Sequence, residues 1–220
     1  MLTEDYLIKM INIALAALLR ILGLKKSGDY TEALQLIDMT FEQLLGLRAS
    51  MVKSLDDGRL YYLLTRNDHL DTRRLAILAS LFQEEGDIYA AQNLIPESLA
   101  DYARALRYFI EVSFSEDAQM VEDLPARIEY LSHKLEIPSL GSDTLWPLSS
   151  YYEEKGAYAQ AERILLLLVN RTEIRPQILP ELVAFYQRLL QKSPPDLSKG
   201  GLSPDQVRER LSRWQHSAAD

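Results

Sequence analysis

The chain has no cysteine among its 220 residues. That excludes disulfides, thiolate metal sites and a cysteine nucleophile, and it is compatible with a reducing cytosol. Histidine is scarce as well. His69, His133 and His216 make no HExxH or other paired spacing, so each reads as a surface or capping residue rather than a ligand or base. No GxxxxGK[ST] or GxGxxG loop is present to cradle phosphate, and no G-x-S-x-G elbow to raise a serine nucleophile. Nine glycines and nine prolines are few for an all-β protein of this length. Positive charge is the minority: 24 Lys and Arg stand against 32 Asp and Glu, a formal net charge of −8. That balance argues against non-specific nucleic-acid binding, which needs clustered cations; Lys25-Lys26 and Arg73-Arg74 are only pairs. No hydrophobic run reaches membrane length. Between Lys9 and Arg20 lie ten uncharged residues, about half of a ~20-residue span. Glu4 and Asp5 precede this run where a signal peptide carries positive charge. The expected location is the cytoplasm, with no membrane and no nucleic-acid partner.

What is present is apolar periodicity. Hydrophobic residues make up 47% and charged residues 25% of the chain, the balance of a packed globular protein. Tyr6 to Leu24 predicts a helix whose polar residues, Lys9, Asn12 and Arg20, form a narrow stripe. A helix apolar over most of its circumference must be covered on more than one side. Lys25, Lys26, Ser27 and Gly28 stop it. Gly46 to Asp57 reads as a linker ending in an Asp57-Gly58 turn, followed by a short helix over Arg59–Arg66. Asp71 is placed to cap a long helix from Thr72 to Ala91, and Pro96 to open the next. Ser115 to Leu135 reads as helix with Asp123 as an internal cap. Pro138 to Ser142 is a loop, Pro147 sits in a first helical turn, and Gln177 to Lys192 is amphipathic. Ser193 to Gly201 has the Pro and Gly content of a flexible connector. Ser203-Pro204-Asp205-Gln206 starts a final helix. The domain expectation is a helical domain over 1–192, a linker over 193–202 and a capping helix over 203–220.

Three stretches carry a finer pattern. In Ala79–Val112, Phe82 and Tyr89 flank Gly86, Asn93 sits at a turn, and Ser98, Leu99, Tyr102, Ala105 and Leu106 recur at helical spacing. Gly28, Tyr30, Ala33, Leu34, Ile37 and Phe41 repeat the second half of that pattern. Leu145, Leu148, Tyr152, Gly156, Tyr158 and Ala161 repeat it again. The stretch resembles a tetratricopeptide repeat of 34 residues. The three matches begin near Ala14, Ala79 and Ser142, roughly 65 residues apart instead of ~34, so additional helix separates them. The resemblance implies an all-α fold, an irregular right-handed α-solenoid of tetratricopeptide-like hairpins. It also implies a concave peptide-binding face lined by the first helix of each repeat. On that alignment the candidate groove holds Gln83, Asp87, Trp146, Ser150 and Glu153, acidic and without the basic clamp that chaperone-binding repeats use. The matching positions of the first repeat are Leu15, Leu18, Leu19 and Leu22. Four leucines left in water would forfeit ~1.5–3 kcal/mol each. Either the Arg59–Arg66 helix or a second chain covers them, and they are the candidate homodimer surface.

Acidic clusters at Glu84-Glu85-Asp87, Glu153-Glu154 and Asp56-Asp57 diverge around their helices or turns and read as solvated faces, not acid–base pairs or metal sites. Glu4-Asp5-Tyr6, the stretch Lys25 to Leu34 and Glu84 to Tyr89 together resemble an uncharacterised bacterial family, mainly over residues 1–112. The resemblance implies a tetratricopeptide-like fold and transfers no catalytic residue. The expected function is a non-enzymatic helical scaffold that binds a protein or peptide without cofactor or metal. A ligand- or peptide-sensing regulator is the alternative, and an enzyme without a recognisable motif ranks below both.

Overall fold

The computed structural model describes residues 4–66 and 69–217. These residues are almost wholly helical, as expected, apart from one two-residue antiparallel ribbon, β1 (Thr65–Arg66) with β2 (His69–Leu70). None of the described helices is long and apolar enough to cross a membrane. The chain forms two compact units, Met1–Leu135 and Glu136–Asp220.

The first unit contains α1 (Glu4–Ser27), α2 (Tyr30–Leu45), α3 (Ala49–Ser54), α4 (Asp57–Leu64), α5 (Thr72–Ala91), α6 (Ile95–Ser113) and α7 (Leu124–Lys134). A short 3-10 turn, Glu116–Met120, precedes α7. The helices pack as two hairpins, α1 with α2 and α5 with α6, and α5 also packs on α1, α2 and α4. Phe82 meets Phe41 across the two hairpins at 5.0 Å and Tyr108 within its own hairpin at 5.9 Å, ring centre to ring centre. These rings are fully buried and contribute chiefly through the area they bury.

The α5–α6 hairpin is close because of two residues. Asn93 turns the chain with φ 60°, a left-handed conformation that asparagine tolerates. Gly86 lies at the crossing, where a β-carbon would stand 2.8 Å from two ring atoms of Tyr102 and 3.2 Å from the Ser98 carbonyl oxygen. Alanine at an ordinary helix interior is worth ~1 kcal/mol over glycine. Here the ring is buried and cannot retreat, and overpacking of this kind costs ~1–3 kcal/mol. Gly86→Ala is therefore expected to lower the urea midpoint; a raised midpoint would mean that the helices are not in contact there.

Several local expectations shift. The Gly46–Asp57 linker contains α3, anchored by buried Val52. Asp57-Gly58 is not a turn but the start of α4, because Asp56 accepts a hydrogen bond from the Arg59 amide at 2.8 Å. Asp71 caps α5 as expected, accepting from the Arg74 amide at 3.1 Å. Asp123 makes no side-chain cap; it bends the chain with φ 52°.

The second unit opens with a 3-10 turn, Ile137–Ser139, and contains α8 (Ser142–Glu154), α9 (Tyr158–Val169), α10 (Arg175–Leu189), α11 (Pro194–Lys199) and α12 (Pro204–Ser217). The α8–α9 pair is a third hairpin, and α10 packs against α9 and α12. Pro147 lies beyond the first turn of α8, which begins earlier than the proline suggests. Arg171 ties the entry to α8 together, donating to Ser142 Oγ and to the carbonyl oxygens of Pro138 and Leu140 at 2.7–3.0 Å.

The connector expected over 193–202 is ordered. Its prolines open α11, where their missing amide hydrogens cost nothing, and Leu197 and Leu202 are buried. Gly200 is needed for contact rather than flexibility: a β-carbon there would stand 2.2 Å from the Tyr158 ring. The capping box at α12 is reciprocal. The Gln206 amide donates to Ser203 Oγ at 3.2 Å and the Ser203 amide to Gln206 Oε1 at 2.8 Å.

Candidate functional site

The five groove residues divide between the two units. Gln83 and Asp87 lie on α5 in the first unit, and both are committed to contacts within it. Gln83 is buried and its Oε1 accepts from Arg127 Nη1 of α7 at 2.8 Å. Asp87 Oδ1 accepts from Tyr102 and Tyr130 hydroxyls, each at 2.8 Å. Its Oδ2 pairs with Lys25 Nζ of α1 at 2.6 Å, and Glu84 pairs with the same ammonium. Burial alone would lower the Lys25 pKa, but the bonds to Asp87 and Glu84 outweigh it and hold the lysine charged. The acidic face expected for a peptide groove is thus neutralised and clasped by α1 and α7.

Trp146, Ser150 and Glu153 lie on α8 in the second unit. Trp146 and Ser150 reach solvent. Glu153 is held by a bidentate pair with Arg188 at 2.7 and 2.8 Å, and Arg188 also reaches Glu181. These three form a partly exposed polar face, with the acid already matched by an arginine.

A second polar cluster in the first unit was not foreseen. Glu85, expected at a solvated face, is fully buried, and its Oε1 takes Lys53 Nζ of α3 at 2.5 Å. Tyr89 donates to the same oxygen at 3.2 Å. Asp101 of α6 is also buried. Glu85 Oε2 and Asp101 Oδ2 each lie outside any protein hydrogen bond. Burial, then the negative charge of Glu85, push the Asp101 carboxyl from 3.8 up to about 7. The folded protein therefore keeps that proton where the unfolded chain has lost it. Stability from Asp101 is highest in acid and falls as pH rises through the interval from about 4 to 7. Asp101→Asn is expected to raise the thermal midpoint at about pH 8 and to leave it nearly unchanged near pH 4. An equal effect at both would show that Asp101 does not carry the proton. The burial of Glu85 was not legible. The sequence reading placed it on a solvated face, and nothing in the sequence named Lys53 as its neighbour.

The four leucines lie along α1. Leu15, Leu18, Leu19 and Leu22, with Ile11, line a cleft of about 310 Å³ whose other wall is Arg73, Ala76, Ile77 and Ser80 of α5. Asp117, Val121, Glu122 and Arg127 close its end. The α4 helix does not cover these side chains: Leu15 is 47% and Leu19 72% exposed. Among the described residues no group of three or more His, Asp or Glu is arranged to hold a metal ion.

The sequence profile of the family of unknown function DUF6483 matches residues 1–218. The chain belongs to that family. The uncharacterised family expected from residues 1–112 fits this one in being of unknown function, and the match covers nearly the whole sequence. No curated protein and no solved structure matches the chain. Membership in DUF6483 brings no residue roles with it, so the site is argued from geometry alone.

Proposed function

We propose that this member of DUF6483 is a non-enzymatic scaffold of tetratricopeptide-like hairpins, and that its binding surface is the apolar cleft between α1 and α5. The observation that carries this reading is Leu19. A leucine 72% exposed beside Leu15 at 47%, over a lined cleft, is an apolar surface prepared for another chain. The solenoid reading draws support from Gly86 against Tyr102 and from the full burial of Ala33, Ala105 and Ala161. Small side chains at such points let helices approach closely. The scaffold reading draws support from the polar groups. Asp87, Gln83 and Glu85 each bond to a side chain of another helix, Tyr102, Arg127 and Lys53 respectively. The acidic groove drops out of the proposal and the cleft takes its place. A photo-reactive phenylalanine analogue at position 19 tests it in cells that make the protein. The reading expects one discrete cross-linked species, lost when Ala76→Arg fills the cleft. Diffuse or absent cross-linking rejects it.

A further inference from the structure

We infer that α3 is a proton-operated latch, closed over Glu85 and Asp101 while Asp101 holds a proton and lifted from them when the proton leaves. The inference is independent of the α1–α5 cleft. Glu85 stands on α5 and Asp101 on α6, the two helices of one hairpin. Glu85 is fully buried and Asp101 only 7% exposed. One oxygen of each, Glu85 Oε2 and Asp101 Oδ2, meets no hydrogen-bond partner among the described residues. A buried carboxylate in that state is costly, and protonation removes the charge. The groups that act on Asp101 are Glu85 and Tyr89 of α5, Lys53 of α3, and Glu97 and Arg104 of its own helix. Asp38 of α2 lies 3.9 Å from Lys53 and also acts on Glu85. Asp38, Glu85 and Glu97 already outnumber Lys53 and Arg104, so an ionised Asp101 adds to an excess of negative charge.

Water relieves that charge, and α3 is the element that can admit it. The helix has six residues and buries only Ala49 and Val52. Parting α5 from α6 instead would break the contacts of Gly86 with Tyr102 and of Phe82 with Tyr108, and expose far more apolar surface. Polar contacts fasten the end of α3 to these two helices. Lys53 Nζ meets Glu85 Oε1 at 2.5 Å. Arg104 of α6 donates to the carbonyl oxygens of Val52 and Leu55 at 3.4 and 2.8 Å. The two cations of the cluster are therefore also the fastenings of α3, and an ionised Asp101 competes for both.

Acid holds the latch shut and base releases it. Burial, then Glu85, pushes the Asp101 carboxyl up to about 7 in the closed form, against an ordinary value of 3.8. Between those values each pH unit favours the lifted form by about tenfold. Burial raises Glu85 as well, so its contribution has the same sign. Lys53 and Tyr89 are shifted upward from 10.5 and 10.0 and titrate above this interval.

The amides of Val52 and Leu55 bond to the carbonyl oxygens of Arg48 and Met51. Their hydrogen exchange, corrected for the chemical rate at each pH, reads the latch. Protection is expected to fall about 100-fold between about pH 4.5 and about pH 7 and to level off above. Amides in the middle of α6 are expected to stay at least about tenfold better protected throughout. Asp101→Asn cannot ionise and is expected to keep the acid-side protection of α3 at every pH. An unaltered protein whose α3 protection does not change across this interval overturns the inference without any variant. So does the same pH profile in Asp101→Asn, which would place the proton elsewhere. Equal protection of α3 and α6 at each pH overturns it too, because the whole unit then opens rather than α3.

Discussion

Lys53→Met is expected to lower the thermal midpoint by roughly 6–12 °C, which corresponds to about 3 kcal/mol for a chain of this size. Glu85 is fully buried on α5 and Lys53 is its cationic partner, 2.5 Å away. Methionine matches the packing of the lysine stem but removes the charge. Breaking a buried pair by deleting one partner costs ~3–5 kcal/mol, because the other ion is left uncompensated. The lower end applies, since the lysine side chain is 31% exposed and water screens part of the interaction. The pH dependence gives a second reading of the same variant. Burial already raises the Glu85 pKa, against the pull of Lys53. Without Lys53 the carboxyl must take up a proton to fold, so the deficit grows as pH rises and shrinks in acid. Glu85→Gln added to Lys53→Met is expected to recover most of the loss. If the single variant melts like the parent, the pair is a surface contact and α3 is not docked on α5.

Asp87→Ala is expected to cost about 3 kcal/mol in urea unfolding, from two phenol hydrogen bonds and one ammonium contact, at ~1–1.5 kcal/mol for each. The residue joins α1, α6 and α7 to α5 through Lys25, Tyr102 and Tyr130. Tyr102 is the more consequential of the two phenols, because its ring also fills the space left by Gly86. A peptide-groove role makes the opposite forecast: stability unchanged and binding lost. The same substitution at Glu153, paired only with the part-exposed Arg188, is expected to cost ~1 kcal/mol or less. If the two variants unfold alike, the internal role of Asp87 is wrong.

Periodic features of the fold were legible in the sequence. The helix over Thr72–Ala91, its Asp71 cap, the Asn93 turn and the Ser203 start of the last helix stand as read, because each depends on residues within one or two turns of each other. Gly86 opposite Tyr102 was legible as a pattern of small and large residues. Features that depend on distant partners were misread. The Glu84–Asp87 run looked like a solvated face because acids usually are solvated. It is internal here because Lys25 and Lys53 come from helices 30 to 60 residues away. The 193–202 stretch looked flexible because proline and glycine usually loosen a chain; here they start α11 and let Gly200 touch Tyr158. The leucines of α1 were the strongest functional signal at both levels. Either one covering helix or a second chain was expected to cover them, and Leu15 and Leu19 stand open in the single chain.

Hydroxyl-radical footprinting of the assembled protein in solution, read at single leucines, tests that claim most directly. In the single chain Leu19 is 72% exposed and Leu63 only 38%. If the α1–α5 cleft is a binding surface in use, the order inverts and Leu19 is oxidised more slowly than Leu63. If Leu19 reacts faster than Leu63, in proportion to those exposures, nothing covers α1 and the cleft is not the working surface of this protein.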